Sequence, residues 1–284
     1  MSKSEPFTIE DASVQIYRQS PDLDGLRAMA IGGVRFSSAK AGVILLEQVA
    51  RKALDEGYQA LLGPLNGDTW HSYRLVTESD GSAPFLMEPT SGPHDLSAFE
   101  GAGFAPVSRY LSAAARLEDT LGQKPAEVPG VTIKAWDGKD GEMLVRHLFD
   151  MSESSFARNR FFTPIDFEAF FGIYKPIMAL VDPRHVLFAH DQNGDLKGFL
   201  FGTPDLVSQT GKPAAILKTY ASGMRGVGHL LADTFHRRAL DLGFETVIHA
   251  LIHEGNTSRS RSNMHGAKVF RRYALMGRRL TETA

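Results

Sequence analysis

The chain of 284 residues is 43% hydrophobic and 23% charged, the composition of a folded globular protein long enough for two domains rather than of a disordered or fibrous one. Its 31 Lys and Arg against 33 Asp and Glu leave a formal charge of −2, which supplies no global field for gathering nucleic acid or anionic lipid. The lack of cysteine excludes disulfides, thiolate metal sites and a cysteine nucleophile.

Met1 to Asp11 is polar, without the apolar core of a secretory signal, and no apolar run of membrane-spanning length follows it. Neither nucleic acid nor membrane is therefore an expected partner, and the cytoplasm is the expected compartment. Ala28 to Phe36 predicts a strand. Val43, Leu46, Val49, Ala50 and Leu54 recur at helical spacing, so Ala39 to Gly57 predicts a helix with Gly57 as its stop. The strand Tyr58 to Leu62 comes next, closed by the turn-rich Gly63-Pro64-Leu65-Asn66-Gly67-Asp68. A strand at Arg74 to Val76, a loop from Glu78 to Pro93, a short helix from His94 to Ala102 and a strand at Val107 to Ala113 complete this half. Residues 116–130 are polar and end in Pro129-Gly130, which reads as a linker and divides the chain into domains 1–120 and 121–284.

The second half opens with the strand Val131 to Ala135 and a helix from Lys139 to Ala157 with Met143, Leu144, His147, Leu148 and Met151 on one face. A second helix is expected from Pro164 to Tyr174, with Thr163 as its cap. His185 to His190 and Lys197 to Thr203 form a hairpin about Asn193-Gly194. The strand Ala214 to Ala221 leads into a glycine turn, a helix from Val227 to Leu242 stopped by Gly243, the strand Glu245 to Ile252, a Ser/Arg/Asn-rich segment over 254–265 and a closing strand at Val269 to Leu275.

A strand, a glycine turn and an amphipathic helix in that order place free amides and the positive end of a helix dipole where an anion can sit. The turn is Arg225-Gly226-Val227-Gly228-His229-Leu230. No Gly-Lys-Ser/Thr follows, which excludes a P-loop, and its late position after a hairpin excludes a dinucleotide fingerprint. From residue 131 onward the order of elements resembles the GNAT acyltransferase fold, whose pyrophosphate pattern is matched by Arg225 and Gly228 and departed from at Leu230. In the first half, Gly42 to Gly57 and Gly101-Ala102-Gly103-Phe104 echo the same fold without its glycine turn. The resemblance thus extends to bacterial tandem double-GNAT proteins with a degenerate first half. It implies an α/β (α+β) class with a mixed, mostly antiparallel sheet flanked by helices.

The resemblance also implies an acyl-CoA co-substrate, most simply acetyl-CoA, and a small-molecule amine as acceptor. A bulkier donor on carrier protein or tRNA and an inactive CoA-binding module are the alternatives, and a homodimer is a further partner to expect. Pantetheine maps to Thr219, Tyr220 and Ala221, the pyrophosphate to Arg225 through Leu230, and a further CoA contact to Asn256. The family's proton-donating Tyr falls at Asn263, which leaves Tyr220 and Tyr273 as candidate phenols, or a water or Ser260 or Ser262 in their place. Glu254 and His253 are the candidate bases at the end of their strand. His249 and His253 lack a completing carboxylate, so no metal is expected. Trp70 is a candidate wall of the acceptor site, with Arg158, Arg160, Phe161 and Phe162 joining the two helices as acceptor contacts. The C-terminal arginines, including Arg271, Arg272, Arg278 and Arg279, are candidates for the CoA 3′-phosphate or for a solvated surface.

Overall fold

The computed structural model describes residues 4–206, 213–255 and 266–281. The first half runs β1 (Ser4–Ile9), β2 (Ala12–Tyr17), β3 (Ala28–Phe36), α1 (Ala39–Asp55), β4 (Ala60–Gly63), β5 (Leu75–Ser79), α2 (Asp95–Gly101) and β6 (Ala105–Arg116). After the short helix α3 (Leu117–Thr120), the second half runs β7 (Thr132–Ala135), α4 (Gly141–Phe156), α5 (Phe167–Tyr174), β8 (Val186–His190), β9 (Leu196–Pro204), β10 (Ala214–Ser222), α6 (Val227–Asp241), β11 (Thr246–His253) and β12 (Lys268–Arg279).

Most boundaries follow from local chemistry. Ser38 caps α1 by accepting from the Ala41 amide at 3.1 Å, and Gly57 ends it at φ 77°, a left-handed position that favours glycine. α6 ends the same way at Gly243, φ 89°. Two expectations need correction. The hairpin of β1 and β2 was not expected, although Ala12, Val14 and Ile16 alternate with Ser13, Gln15 and Tyr17 and are the buried face of β2. α5 starts at Phe167 rather than Pro164, because the side chain that caps it is Asp166, accepting from the Ala169 amide at 2.7 Å, and not Thr163.

The strands form one twelve-stranded mixed sheet in the order β1-β2-β3-β4-β12-β6-β11-β10-β9-β8-β7, with β5 paired to β12. Only β3 with β4 and β10 with β11 are parallel; the other pairs are antiparallel. The halves trade their last strands. β12 pairs with β4 of the first half, β6 pairs with β11 of the second, and β12 and β6 pair with each other along Lys268 to Gly277. α1 and α2 cover one face of the first half through Leu45, Leu46, Val49, Ala53 and Phe99. In the second half α6 packs Val227, Leu231 and Phe235 on one face, and α4 and α5 pack Leu144, Leu148 and Phe170 on the other. Gly202 of β9 lies so close beneath the Phe235 ring that a Cβ there would collide with it.

The linker lies against α6. The Ala126 amide donates to Asp233 Oδ2 at 2.9 Å, and Arg237 donates to the Gly122 carbonyl at 3.0 Å. Because the exchanged strands interlock, a specific protease site inserted after Lys124, once cleaved, is expected to leave both fragments in one particle of full size on gel filtration. Release of half-sized particles would contradict the interlock.

Candidate functional site

β10 and β11 pair over four residues only, Ala214 to Leu217 against Thr246 to His249, and then separate. Each strand carries an irregularity at the point of parting. Lys218 is an extra residue in β10 between Leu217 and Thr219, and β11 shifts register between His249 and Ile252 with Leu251 at φ 57°. Past the bulge, no strand among the described residues pairs with the edge of β10 at Thr219, Tyr220 and Ala221 that faces β11.

At the end of β10 the chain turns through Gly226, φ 88°, into α6. Unlike α1, α6 has no side-chain cap. Among the described residues the amides of Arg225, Gly226 and Gly228 have no acceptor. Val227, fully buried, anchors the first turn, while Arg225 and His229 are exposed. Leu230, where the resembling pattern has a small residue, lines a shallow depression with Val128, Val131 and Ile133. Asn256, Ser260, Ser262, Asn263, Arg259 and Arg261 lie outside the described residues.

The gap between the strands opens into a cavity of about 1230 Å³ built from both halves. Its walls include Thr219, Tyr220, Ala221, His229, His253, Glu254, Trp70, Arg158, Arg160 and Phe162, so most of the expected site residues meet there. Trp70 fastens the halves together: its indole Nε1 donates to the Thr163 carbonyl at 2.8 Å and its ring meets Phe162 and Phe170 edge-on. Of the glycine turn only His229 lines the cavity, and two of the catalytic and acceptor candidates are elsewhere. Phe161 is buried at φ 67° in the core beneath β3 and β4, and Tyr273 is buried with its hydroxyl on Glu88 and on Ser112 Oγ. Burial, and after it the Glu88 contact, pushes the Tyr273 phenol well above its ordinary range and makes it a weaker acid, and the residue is not part of the cavity wall.

The candidate bases are also engaged. Glu254 is ion-paired with Arg272 at 2.8 Å. His253 accepts from the Gly255 amide on Nδ1 at 3.0 Å, so its Nε2 carries the proton and faces Ser108 Oγ at 3.1 Å. Desolvation and then the Arg74 cation hold His253 below the usual histidine range, keeping it neutral. Arg160 is occupied by Asp24 at 2.5 Å and by the Val107 carbonyl at 2.7 Å. The C-terminal arginines are likewise paired: Arg271 with Glu88, Arg272 with Glu78 and Glu254, Arg278 with Glu47 and Arg279 with Asp24. His236 and His249 stack with Nε2 atoms 3.2 Å apart, but no group of three metal-ligating side chains occurs among the described residues.

Two cavity residues escaped the sequence reading. Lys218, the bulge residue, donates to the Met87 carbonyl at 2.8 Å, and desolvation followed by the Arg74 cation pulls its ammonium down to about 7 against the opposing charge of Glu88. Arg74 comes from the first half, where the sequence marks it only as the first residue of a strand; β5 begins at Leu75 and leaves Arg74 at the end of the preceding loop.

The first half repeats this geometry in closed form. β3 and β4 pair in parallel over Ala28 to Ala30 only, and the gap beyond is filled by the chain's own loop. The Leu65 amide donates to the Ile31 carbonyl at 2.7 Å, and Asn66 Oδ1 accepts from the Gly33 amide at 3.0 Å.

The sequence matches no protein-family model and no curated protein. Solved structures share its fold. It is similar to a tandem GNAT protein from the clavulanic acid biosynthesis pathway, at 13% identity and a TM-score of 0.55 over 96% of this chain and 80% of that one. It is similar to a GCN5-related N-acetyltransferase from Sphaerobacter thermophilus, at 16% identity and a TM-score of 0.54 over 96% of this chain and 78% of that one. A probable N-acyltransferase from Enterococcus faecalis V583 matches at 11% identity and a TM-score of 0.55 over 95% of this chain and 59% of that one. The chain therefore has the tandem GNAT fold, and no helix among the described residues is long and apolar enough to cross a membrane.

The Glu88 side chain is wholly buried and its charge is balanced by Arg271, itself buried in β12. Arg271→Met strands that carboxylate and is expected to lower stability by about 3–5 kcal/mol, read as a fall in the urea midpoint at unchanged slope. A loss below about 1 kcal/mol would mean that the pair contributes no more than an exposed one.

Proposed function

We propose that this protein, built on the GNAT fold, is an acyl-CoA-dependent N-acyltransferase that moves an acyl group, most simply acetyl, from the CoA thioester to an amine of a small molecule or amino acid. The observation that carries this reading is the parting of β10 from β11 with an uncapped glycine turn at its end. An extended pantetheine arm can pair along Thr219 to Ala221 while the pyrophosphate meets the amides of Arg225, Gly226 and Gly228 at the positive end of α6. The matching end of α1 is satisfied by Ser38 and its strand gap is filled by Leu65 and Asn66, so the second half alone is open to CoA.

Acyl transfer needs a neutral amine, a proton acceptor for it, and a donor for the departing thiolate. Lys218 fits the acceptor role: it lines the cavity at the point of parting, and near neutral pH its amine form is well populated. Tyr220, two residues along the same wall, fits the donor role. His253, with one nitrogen taken by Gly255 and the other facing Ser108, orients the opposite wall instead of taking the proton.

Calorimetric titration is expected to give one CoA per chain, and Gly228→Asp to abolish that binding, since a carboxylate there repels the pyrophosphate while remaining compatible with a helix N-terminus. Unchanged affinity in the variant removes the cradle, and two CoA per chain would show that α1 also binds. The pH dependence has a defined sign. The base form of Lys218 gains population as pH rises through about 7, so thiol release per unit CoA should climb through that value and level above it. Lys218→Met is expected to lose about 10²–10⁴-fold in rate and this limb with it, at wild-type CoA affinity. A limb that persists in the variant places the base elsewhere.

A further inference from the structure

Building on the acyl-transfer reading, we infer that the amine acceptor carries a carboxylate and that Arg74, a first-half residue on the cavity wall, is the group that binds it. The Arg74 guanidinium carbon lies 4.1 Å from the centroid of Tyr73 and 4.2 Å from that of Tyr110, two rings that meet edge to face at 5.8 Å, so they hold the guanidinium from two adjacent sides. Nη2 donates to the Tyr73 hydroxyl. Nη1 donates to no described residue, and Nε is buried without a partner. No carboxylate among the described residues lies within ion-pairing distance of it. The residue is held at φ 86°, a conformation that an arginine adopts only where the surroundings impose it.

The rest of the cavity wall points the same way. Its two carboxylates are already balanced, Glu88 by Arg271 and Glu254 by Arg272, so the charge left over is cationic. Of the other arginines on the wall, Arg160 is spent on Asp24 and Val107, and Arg109 and Arg158 are exposed side chains, whereas the Nε of Arg74 is buried. Arg74 shares the cavity wall with Lys218 and His253, and its cation bears on the protonation of both. A carboxylate docked on Arg74 therefore sets an amine of the same molecule close to Lys218. A planar guanidinium held in place by its neighbours, with open donors, is also the arrangement that distinguishes a carboxylate from a carboxamide of the same shape.

The test compares the protein amino acids with their carboxamides as probes, by calorimetric binding without CoA and by thiol release with acetyl-CoA. The wild type is expected to prefer the carboxylate form of at least one amino acid by about tenfold or more, the ratio a charge-assisted hydrogen bond supplies. Arg74→Met should reduce that preference to about twofold or less while binding CoA as the wild type does, which also reports that it is folded; Arg74→Lys should keep part of it. Equal handling of acids and carboxamides by the wild type, or an undiminished preference in Arg74→Met, overturns the inference. So does a preference for succinyl-CoA over acetyl-CoA that Arg74→Met abolishes with a neutral amine, because the carboxylate would then belong to the acyl group. Failure of CoA to bind, with the carboxylate preference intact in calorimetry, would instead remove the acyl-transfer reading and leave the Arg74 site standing.

Discussion

The exchange of β6 and β12 between the halves is the constraint from which the site follows. Each strand completes the other half's parallel pair, so the centre of the sheet, β4-β12-β6-β11, contains alternate contributions from the two halves. Neither half can then form its full sheet by itself. The exchange also brings the turn after β4 and the loop after β5 against the mouth of the β10–β11 gap, where Trp70, Arg74 and Met87 become walls of a cavity whose opposite wall is β10. The buried Glu88–Arg271 pair and the Trp70–Thr163 hydrogen bond fix that juxtaposition at two separate points.

Within this pseudo-symmetric frame the two halves treat the same geometry in opposite ways. Both have a parallel pair that parts after three or four residues and a helix beginning at the end of the first strand. In the first half the helix end is capped by Ser38, worth about 1 kcal/mol in a typical helix, and the gap is filled by Asn66 and Leu65. In the second half Gly226 offers no side chain, and the amides remain available to an anion. One half has become scaffold and the other has kept an opening. The loop that closes the first gap, residues 63–74, is the same one that delivers Tyr73 and Arg74 to the second.

How much of this is legible in the sequence depends on the range of the interaction that sets it. The glycine turn at Arg225 to Leu230, the hairpin about Asn193-Gly194, and the helices ended by Gly57 and Gly243 are local, and residue type alone signals each. The hairpin of β1 and β2 was within reach as well, because Ala12, Val14 and Ile16 hold a period of two, but the run is short and β1 alternates between exposed and half-buried residues, as an edge strand does. The strand exchange leaves no mark on local pattern, since β6 and β12 read as strands whichever partner they take. Arg74 and Lys218 were missed for that reason: one becomes a cavity residue only when the halves meet, and the other only when a bulge turns it out of the strand's alternation.

The buried ion pair also bears on chemistry. Lys218 is held near neutrality by desolvation and by Arg74, with Glu88 pulling the other way. In a medium of low dielectric an uncompensated carboxylate would dominate that balance and keep the lysine protonated, hence unable to accept a proton. Glu88 is not uncompensated, since Arg271, from the far end of the chain, pairs with it in the core, and its pull on Lys218 stays below that of Arg74. An arginine that the sequence offers for the CoA 3′-phosphate or for a solvated surface thus sits in the core, where it secures the contact between the halves.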